Sequence, residues 1–263
     1  MLWISGATRI HLIVGDPVAQ TKPPGGLTRE FAARRVDAVC VPAEVRPEDF
    51  DAFMTAAKRV QNVDGIIIAP PHKFAAPAHC DELTSRAGLL NGVNVMRRVP
   101  GGLWAGDLNE GLALIAALKA RHFEPRGARA LVVGAGAAGA AVALALVQEK
   151  AAAVSVADAD TKRRDELIRV LGGRQANVQS ATPNPGGFTL VINASAAGMR
   201  VGDPMPVDPD KLEPNTFVAD LVPSTGMTSL VMAARARNCQ TLTADQMSQP
   251  QAVILADFLL DGR

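Results

Sequence analysis

Tyrosine is absent from this chain of 263 residues and aromatic side chains make up only 4% of it, so no site here can rest on a phenol. Cysteine is scarce. Cys40, Cys80 and Cys239 are an odd set with no CxxC spacing and no Cys/His cluster, which excludes a disulfide framework and a structural zinc and points to a reduced, cytoplasmic protein. Neither sign of charge is in excess: 27 Lys and Arg face 26 Asp and Glu, a net charge of +1, so no polyanion surface and no nucleic-acid partner is expected. Long apolar runs are also missing. The opening MLWISGATRIHLIVGD lacks a basic start, and its apolar run is too short for a signal peptide or a membrane span, so no membrane partner is expected either.

Glycine, in contrast, is placed with purpose between Ala128 and Asp158. Ala130 to Val133 reads as a buried parallel strand, Gly134-Ala135-Gly136-Ala137-Ala138-Gly139 as a turn, the residues to Gln148 as a helix, and Ala153 to Ala157 as a second strand. A dinucleotide needs these parts in this order. Gly134 makes the tight turn, Gly136 lets the backbone approach a pyrophosphate, and Gly139 lets helix pack close on strand, while the helix N-terminus faces the phosphates. Asp158, 19 residues after Gly139, is placed to accept hydrogen bonds from ribose hydroxyls and to repel a 2′-phosphate, which favours NAD over NADP. The same small residues also serve plain helix packing, and the flanking strands with the acid in register are what favour the nucleotide reading.

Around this unit the chain reads as strands alternating with helices. Thr8–Val14 is a first strand, running into a Gly- and Pro-rich loop to Gly26 and a helix over 27–35; Ala38–Pro42 is a second strand and Glu48–Val60 an amphipathic helix. Three consecutive isoleucines in Gly65–Ala69 leave no wet face, so that strand is buried on both sides and stops at Pro70-Pro71, which puts His72 and Lys73 at a strand's carboxyl end. A helix is expected over 74–87, a short strand at 92–96, and a helix over 111–120 that leads through a boundary loop at 121–127 into the nucleotide unit. Further on, a charged helix spans 162–171, buried strands lie at 189–194 and 217–221, and an apolar helix spans 249–260. Ligands of open α/β sheets collect at the carboxyl ends of strands, so Lys73, Asn94, the 106–111 loop, Gly198 and Gln251 are expected around one cleft.

Several of these stretches resemble the shikimate/quinate dehydrogenases: Gly15-Asp16-Pro17, Pro71-His72-Lys73, Cys80-Asp81-Glu82-Leu83, Gly92-Val93-Asn94, the glycine loop, Ile192-Asn193-Ala194, Ala197-Gly198-Met199, Val218-Ala219-Asp220-Leu221-Val222, and Met247 with Gln251-Ala252. The resemblance is colinear over nearly the whole chain. It implies an α/β fold of two domains, an N-terminal substrate-binding domain over 1–110 with the C-terminal helix of 240–263, and a Rossmann-type doubly wound NAD(P)-binding domain over 111–239. It implies reversible oxidation of a ring hydroxyl in a small cyclic hydroxy acid, by a monomer or homodimer. Lys73 and Glu110 then flank the reacting hydroxyl, with Thr21, Asn94 and Gln251 as further substrate contacts and His72 a neighbour only. Asn193, Ala194 and Leu221 join the glycine loop and Asp158 around the cofactor. In such a site lysine takes the hydroxyl proton as hydride leaves, and the carboxylate positions it.

The chain also departs from that pattern. Its acid is Glu110 in place of Asp, one methylene longer, and Leu108 stands where the family's loop has Asn. Thr21-Lys22-Pro23 keeps one hydroxyl of a serine pair, Ile67 and Ala69 replace an amide and a hydroxyl, Pro223 replaces a Tyr, and Gln246 replaces a Gly beside the nicotinamide. Sites that lose hydroxyl partners change preference strongly, so weak or no turnover of shikimate and a less polar or smaller substrate are expected. Asp158-Ala159-Asp160-Thr161 lacks the family's basic residue for NADP, although Lys162, Arg163 and Arg164 follow directly. Two other functions compete: a nucleotide- or metabolite-binding homologue without chemistry, and a methylenetetrahydrofolate dehydrogenase-like enzyme, against which Pro71-His72-Lys73 and Cys80-Asp81 argue.

Overall fold

The structure, a computed structural model, describes residues 4–19, 21, 23–172, 177–200, 202–223 and 226–261. Lys22, within the Thr21-Lys22-Pro23 stretch, lies outside the described residues. The chain divides into two compact α/β units, one of Met1–Asn109 with Ser248–Arg263, the other of Glu110–Met247.

The first unit alternates β1 (Arg9–Gly15), α1 (Pro23–Ala33), β2 (Ala38–Glu44), α2 (Phe50–Ala57), β3 (Val63–Ile68), β4 (Glu82–Leu83), α3 (Ser85–Leu90), β5 (Val95–Arg98) and β6 (Trp104–Asp107). Its sheet runs in the order β2-β1-β3-β5-β6-β4. β1, β2 and β3 are parallel, while β5 is antiparallel to both β3 and β6. The sheet is therefore mixed, with β5 alone reversed. All six residues of β3 are buried, as the isoleucine run requires. On α2 the buried residues Phe50, Met54 and Ala57 recur at helical spacing and form its inner stripe.

The expected helix over 74–87 is not what forms. One-turn 3₁₀ segments at His72–Phe74 and Ala76–His79 lead into β4, because Asp81 N donates to Trp104 O and Thr84 N to Gly106 O. Pairing with β6 captures these residues before a helix can run through them. α3 starts only at Ser85, capped by the Thr84 hydroxyl accepting from Ala87 N, and ends at Asn91 in the left-handed region.

The second unit holds α4 (Glu110–Ala120), β7 (Arg129–Val133), α5 (Ala137–Gln148), β8 (Ala153–Ala157), α6 (Thr161–Gly172), β9 (Val178–Ser180), β10 (Leu190–Asn193), β11 (Phe217–Asp220), α7 (Ser229–Ala236) and β12 (Gln240–Thr243). All its strands are parallel, in the order β12-β11-β10-β7-β8-β9. Counted from β7 as the first, this is the 3-2-1-4-5-6 order of a Rossmann-type doubly wound fold. α5 is apolar all round and almost wholly buried, whereas the charged α6 buries only Leu167 and Leu171. The last helix, α8 (Ala244–Leu260), returns to the first unit, where Leu255, Ala256 and Leu259 complete a core with Ile13, Leu27, Phe31 and Ile67.

Candidate active site

Every strand of the first unit but β5 points its carboxyl end the same way, and β5 begins at that edge. The rim so formed carries Lys73 and Asn94. Asp16 N donates to Pro70 O, Val93 N to Lys73 O, Ile68 N to Asn94 O, and Asn94 N to Asp107 O. These backbone bonds tie the loops after β1, β3 and β6 to the start of β5. A Cβ on Gly15 would stand 2.8 Å from the Ala69 Cβ, so only glycine allows the first two loops to approach so closely.

Lys73 is only 7% exposed, in the turn that follows Pro70-Pro71. Lysine is almost never buried this deeply without a partner or a function. His72 plays a structural part, since its Nε2 contacts Val45 O at 2.8 Å and its ring stacks on Phe50 with centroids 4.3 Å apart. Thr21 is half-buried and donates its hydroxyl to Val18 O at 2.6 Å, which leaves the oxygen as an acceptor. Asn94, fully buried, is paired with Asn109 twice over: Asn109 N donates to Asn94 Oδ1 at 2.7 Å, and Asn94 Nδ2 donates to Asn109 Oδ1 at 3.1 Å. Gln251 is half-buried on α8, next to Ala252, whose Cβ approaches Gly26 in α1.

Sequence reasoning missed what holds this rim in shape. Asp107, fully buried, accepts from Arg86 Nε at 2.7 Å and Nη2 at 2.6 Å, from the Thr84 hydroxyl and from Leu108 N. This bidentate pair fixes the loop that carries Leu108 and Asn109. Leu108 is itself core, near Gly92 and Phe74, and Ile67 packs among Ile13, Val95 and Leu255, so neither of these two replacements lines the rim. Burial pushes the thiols of Cys40 and Cys80 up to about 12, which removes both as nucleophiles. Among the described residues no group of three or more His, Cys, Asp or Glu could hold a metal, and no helix is long and apolar enough to cross a membrane.

The second unit builds a rim of its own at the carboxyl ends of β7, β8, β10 and β11. Gly134 takes φ +105°, and a Cβ there would stand 2.7 Å from Ala194 O. At Gly139 an added Cβ would fall 1.9 Å from Gly134 O, but at Gly136 it would meet nothing within 4 Å. The outer surface of the turn is therefore open. Gly136 heads α5 with no side-chain cap, so the first N–H groups of that helix, at Ala137 and Ala138, face outward with its positive dipole end. These features fit a pyrophosphate. Asn193 serves the protein through its side chain instead of reaching a ligand: Nδ2 donates to Ala197 O and Asp220 Oδ1, and Oδ1 accepts from Ser195 N and Oγ. Ala194 and Leu221, half-buried, follow the ends of β10 and β11. Glu110 is half-buried and opens α4.

Asp158 differs most from its expected part. Its carboxylate accepts from Ala135 N at 2.6 Å and Asp160 N at 2.8 Å, and Arg163 Nη2 lies 2.9 Å and 3.0 Å from its two oxygens. Burial alone would raise this carboxyl, but the Arg163 bond, the two backbone N–H groups and the Arg163 charge outweigh it and hold the group below the usual range. The acid is occupied, and the guanidinium holding it is 48% exposed at the start of α6.

The chain is similar to known proteins over nearly its full length. The sequence profile of the shikimate dehydrogenase substrate binding domain matches residues 13–96. A shikimate dehydrogenase (NADP(+)) of Rubrobacter xylanophilus is 32% identical over 256 residues, 95% of this chain and 90% of that protein. A shikimate dehydrogenase (NADP(+)) of Acidiphilium cryptum is 30% identical, again over 95% of this chain and 90% of the relative. The crystal structure of shikimate dehydrogenase from Aquifex aeolicus superposes with a TM-score of 0.89 at 21% identity, covering 99% of this chain and 95% of that one.

These relatives overturn the expectation that NAD is preferred and NADP less suited, since both sequence relatives are NADP(+)-linked. The physical reason is the grip of Arg163 on Asp158: the carboxylate expected to repel a 2′-phosphate is neutralised by an arginine that spacing alone reads as a mere neighbour. With the parallel Rossmann-type sheet, the open glycine turn and the buried lysine of the first unit, the chain belongs to the shikimate/quinate dehydrogenase family.

Proposed function

We propose that this protein is an NADP-dependent dehydrogenase that reversibly oxidises a ring hydroxyl of a shikimate- or quinate-like hydroxy acid. The observation that carries the reading is the buried Lys73 at the rim shared with Asn94 and Thr21. The first unit, with the end of α8, takes the hydroxy acid, and the second takes the dinucleotide. Bound NADP+ supplies the hydride acceptor. Lys73 takes the hydroxyl proton during oxidation and returns it during reduction, and Glu110 is its proposed acidic partner. Asn94, Thr21 and Gln251 orient the acid. The outward N–H groups of α5 receive the pyrophosphate, and Arg163 receives the 2′-phosphate.

The substrate we propose carries fewer hydroxyls than shikimate. Alanine at position 69 offers no hydrogen bond, and the Thr21 hydroxyl already donates to Val18 O. A rim with fewer donors discriminates against a ring with more hydroxyls, because each extra hydroxyl would be desolvated without a partner. Turnover with NADP+ of shikimate, quinate and less hydroxylated cyclohexane and cyclohexene carboxylates tests both parts. Lys73→Met is expected to lower kcat by about 10² to 10⁴ while NADP+ still stabilises the protein thermally. Shikimate turned over best of the panel would refute the altered preference, and a fully active Lys73→Met would refute the mechanism.

A further inference from the structure

We propose that Asn109 is a specificity-determining residue of the hydroxy-acid site, its side-chain N–H groups binding an oxygen acceptor of the substrate. The proposal rests on the dehydrogenase reading above.

The hydrogen bonds around this residue leave a single remainder. Asn109 N, a donor that cannot exchange roles, donates to Asn94 Oδ1 and so fixes which end of the Asn94 amide is oxygen. Asn94 must then present Nδ2 to its neighbour, and the atom receiving it is fixed as Asn109 Oδ1. What is left is Asn109 Nδ2, with two N–H groups. The residue is 2% exposed, and Nδ2 has no hydrogen-bond partner among the described residues. Buried amides are almost always satisfied, and one that is not destabilises the fold unless something from outside completes it.

Its position says what that would be. Asn109 follows β6 at the rim where the ends of β1 and β3 and the start of β5 meet, beside the loop carrying Lys73. The Asp107–Arg86 pair holds the backbone immediately before it, so the amide is kept in place with no ligand present. Donors without acceptors recognise an oxygen with lone pairs, a carboxylate or a ring oxygen, and reject an apolar replacement at that point.

The test uses the whole protein with shikimate, quinate and less hydroxylated cyclohexane and cyclohexene carboxylates as probes, in calorimetric titrations without cofactor and in steady-state turnover with NADP+. Asn109→Asp keeps Oδ1 and the backbone N–H for Asn94, and replaces the two donors with an oxygen that also brings a carboxylate charge; the uncharged pair below separates the two effects. It is expected to raise Kd and KM for the acid at least about tenfold, with KM for NADP+ within about twofold of the wild type. Asn109→Thr and Asn109→Val, alike in shape, form a second comparison: the hydroxyl variant should bind the acid about tenfold more tightly than the apolar one. Equal binding by Thr and Val variants, or an Asp variant that matches the wild type, overturns the proposal and leaves the dehydrogenase reading intact. A wild type that binds the acids but oxidises none sinks the dehydrogenase reading, and Asn109 is then judged on Kd alone. A wild type that binds none of these acids overturns both.

Discussion

Arg163 shows at the scale of one residue how a motif is altered by its neighbour. An acid at the end of the second strand of a dinucleotide unit is read as free to meet ribose hydroxyls, and spacing places Asp158 there. No spacing rule announces that a side chain five positions on folds back to hold both its oxygens. The placing of Lys73 at a strand end, by contrast, was legible, because a proline pair that ends a buried strand dictates where the next side chains sit. Asn109 was not, since only the completed hydrogen bonds show which of its atoms is left over. Arg163→Ala is expected to weaken NADP+ binding about 10- to 100-fold, the worth of a charge-assisted bond to phosphate, and to improve NAD+ by releasing the Asp158 carboxylate. Titrating the two nucleotides into the variant and the wild type checks this, and an unchanged NADP+ affinity would refute the part given to Arg163.

The turn between β7 and α5 is an element whose glycines do different work. Buried apolar strands on either side, and a helix of small residues, made it the most readable part of the sequence. Its glycines separate into two kinds only in the structure. Gly139→Ala drives a Cβ into Gly134 O, so backbone must move and the second unit should lose stability. Gly136→Ala points into open space and should leave stability unchanged or slightly raised, yet weaken NADP+ by narrowing the approach of the pyrophosphate. Urea midpoints for the two variants beside nucleotide titrations separate these effects. A destabilised Gly136→Ala that binds NADP+ normally would reverse the assignment. The elements that sequence reading lost are the short ones. β4, β9 and β12 have two to four residues each, and β6 hides behind a glycine pair; they are made by pairing with partners distant in sequence and not by their own pattern.

Among the described residues, one apolar core of the molecule is completed by α8 and another is gathered around Leu131, Val191 and Val218. Trp104 is buried in the first unit, so its fluorescence follows that unit while far-UV ellipticity follows both. This makes one charge in the second core measurable. Asp220 is 2% exposed at the end of β11, and burial raises its carboxyl above the usual range even though the Thr228 hydroxyl, Val222 N and Asn193 Nδ2 all donate to it. The folded state therefore holds a proton over a pH range in which the unfolded chain has already released it. Stability contributed by this group falls as pH rises from the ordinary carboxyl pKa through the raised one, the opposite of a salt-bridged acid. Asp220→Asn keeps an oxygen for Asn193 and Val222 but carries no charge. Above about pH 4 it should remove part of the decline in the urea midpoint seen by ellipticity, and leave the midpoint seen by tryptophan fluorescence unchanged. A variant whose ellipticity midpoint declines with pH as steeply as the wild type would show that the three donors outweigh burial and that this aspartate is ionised in the core at little cost.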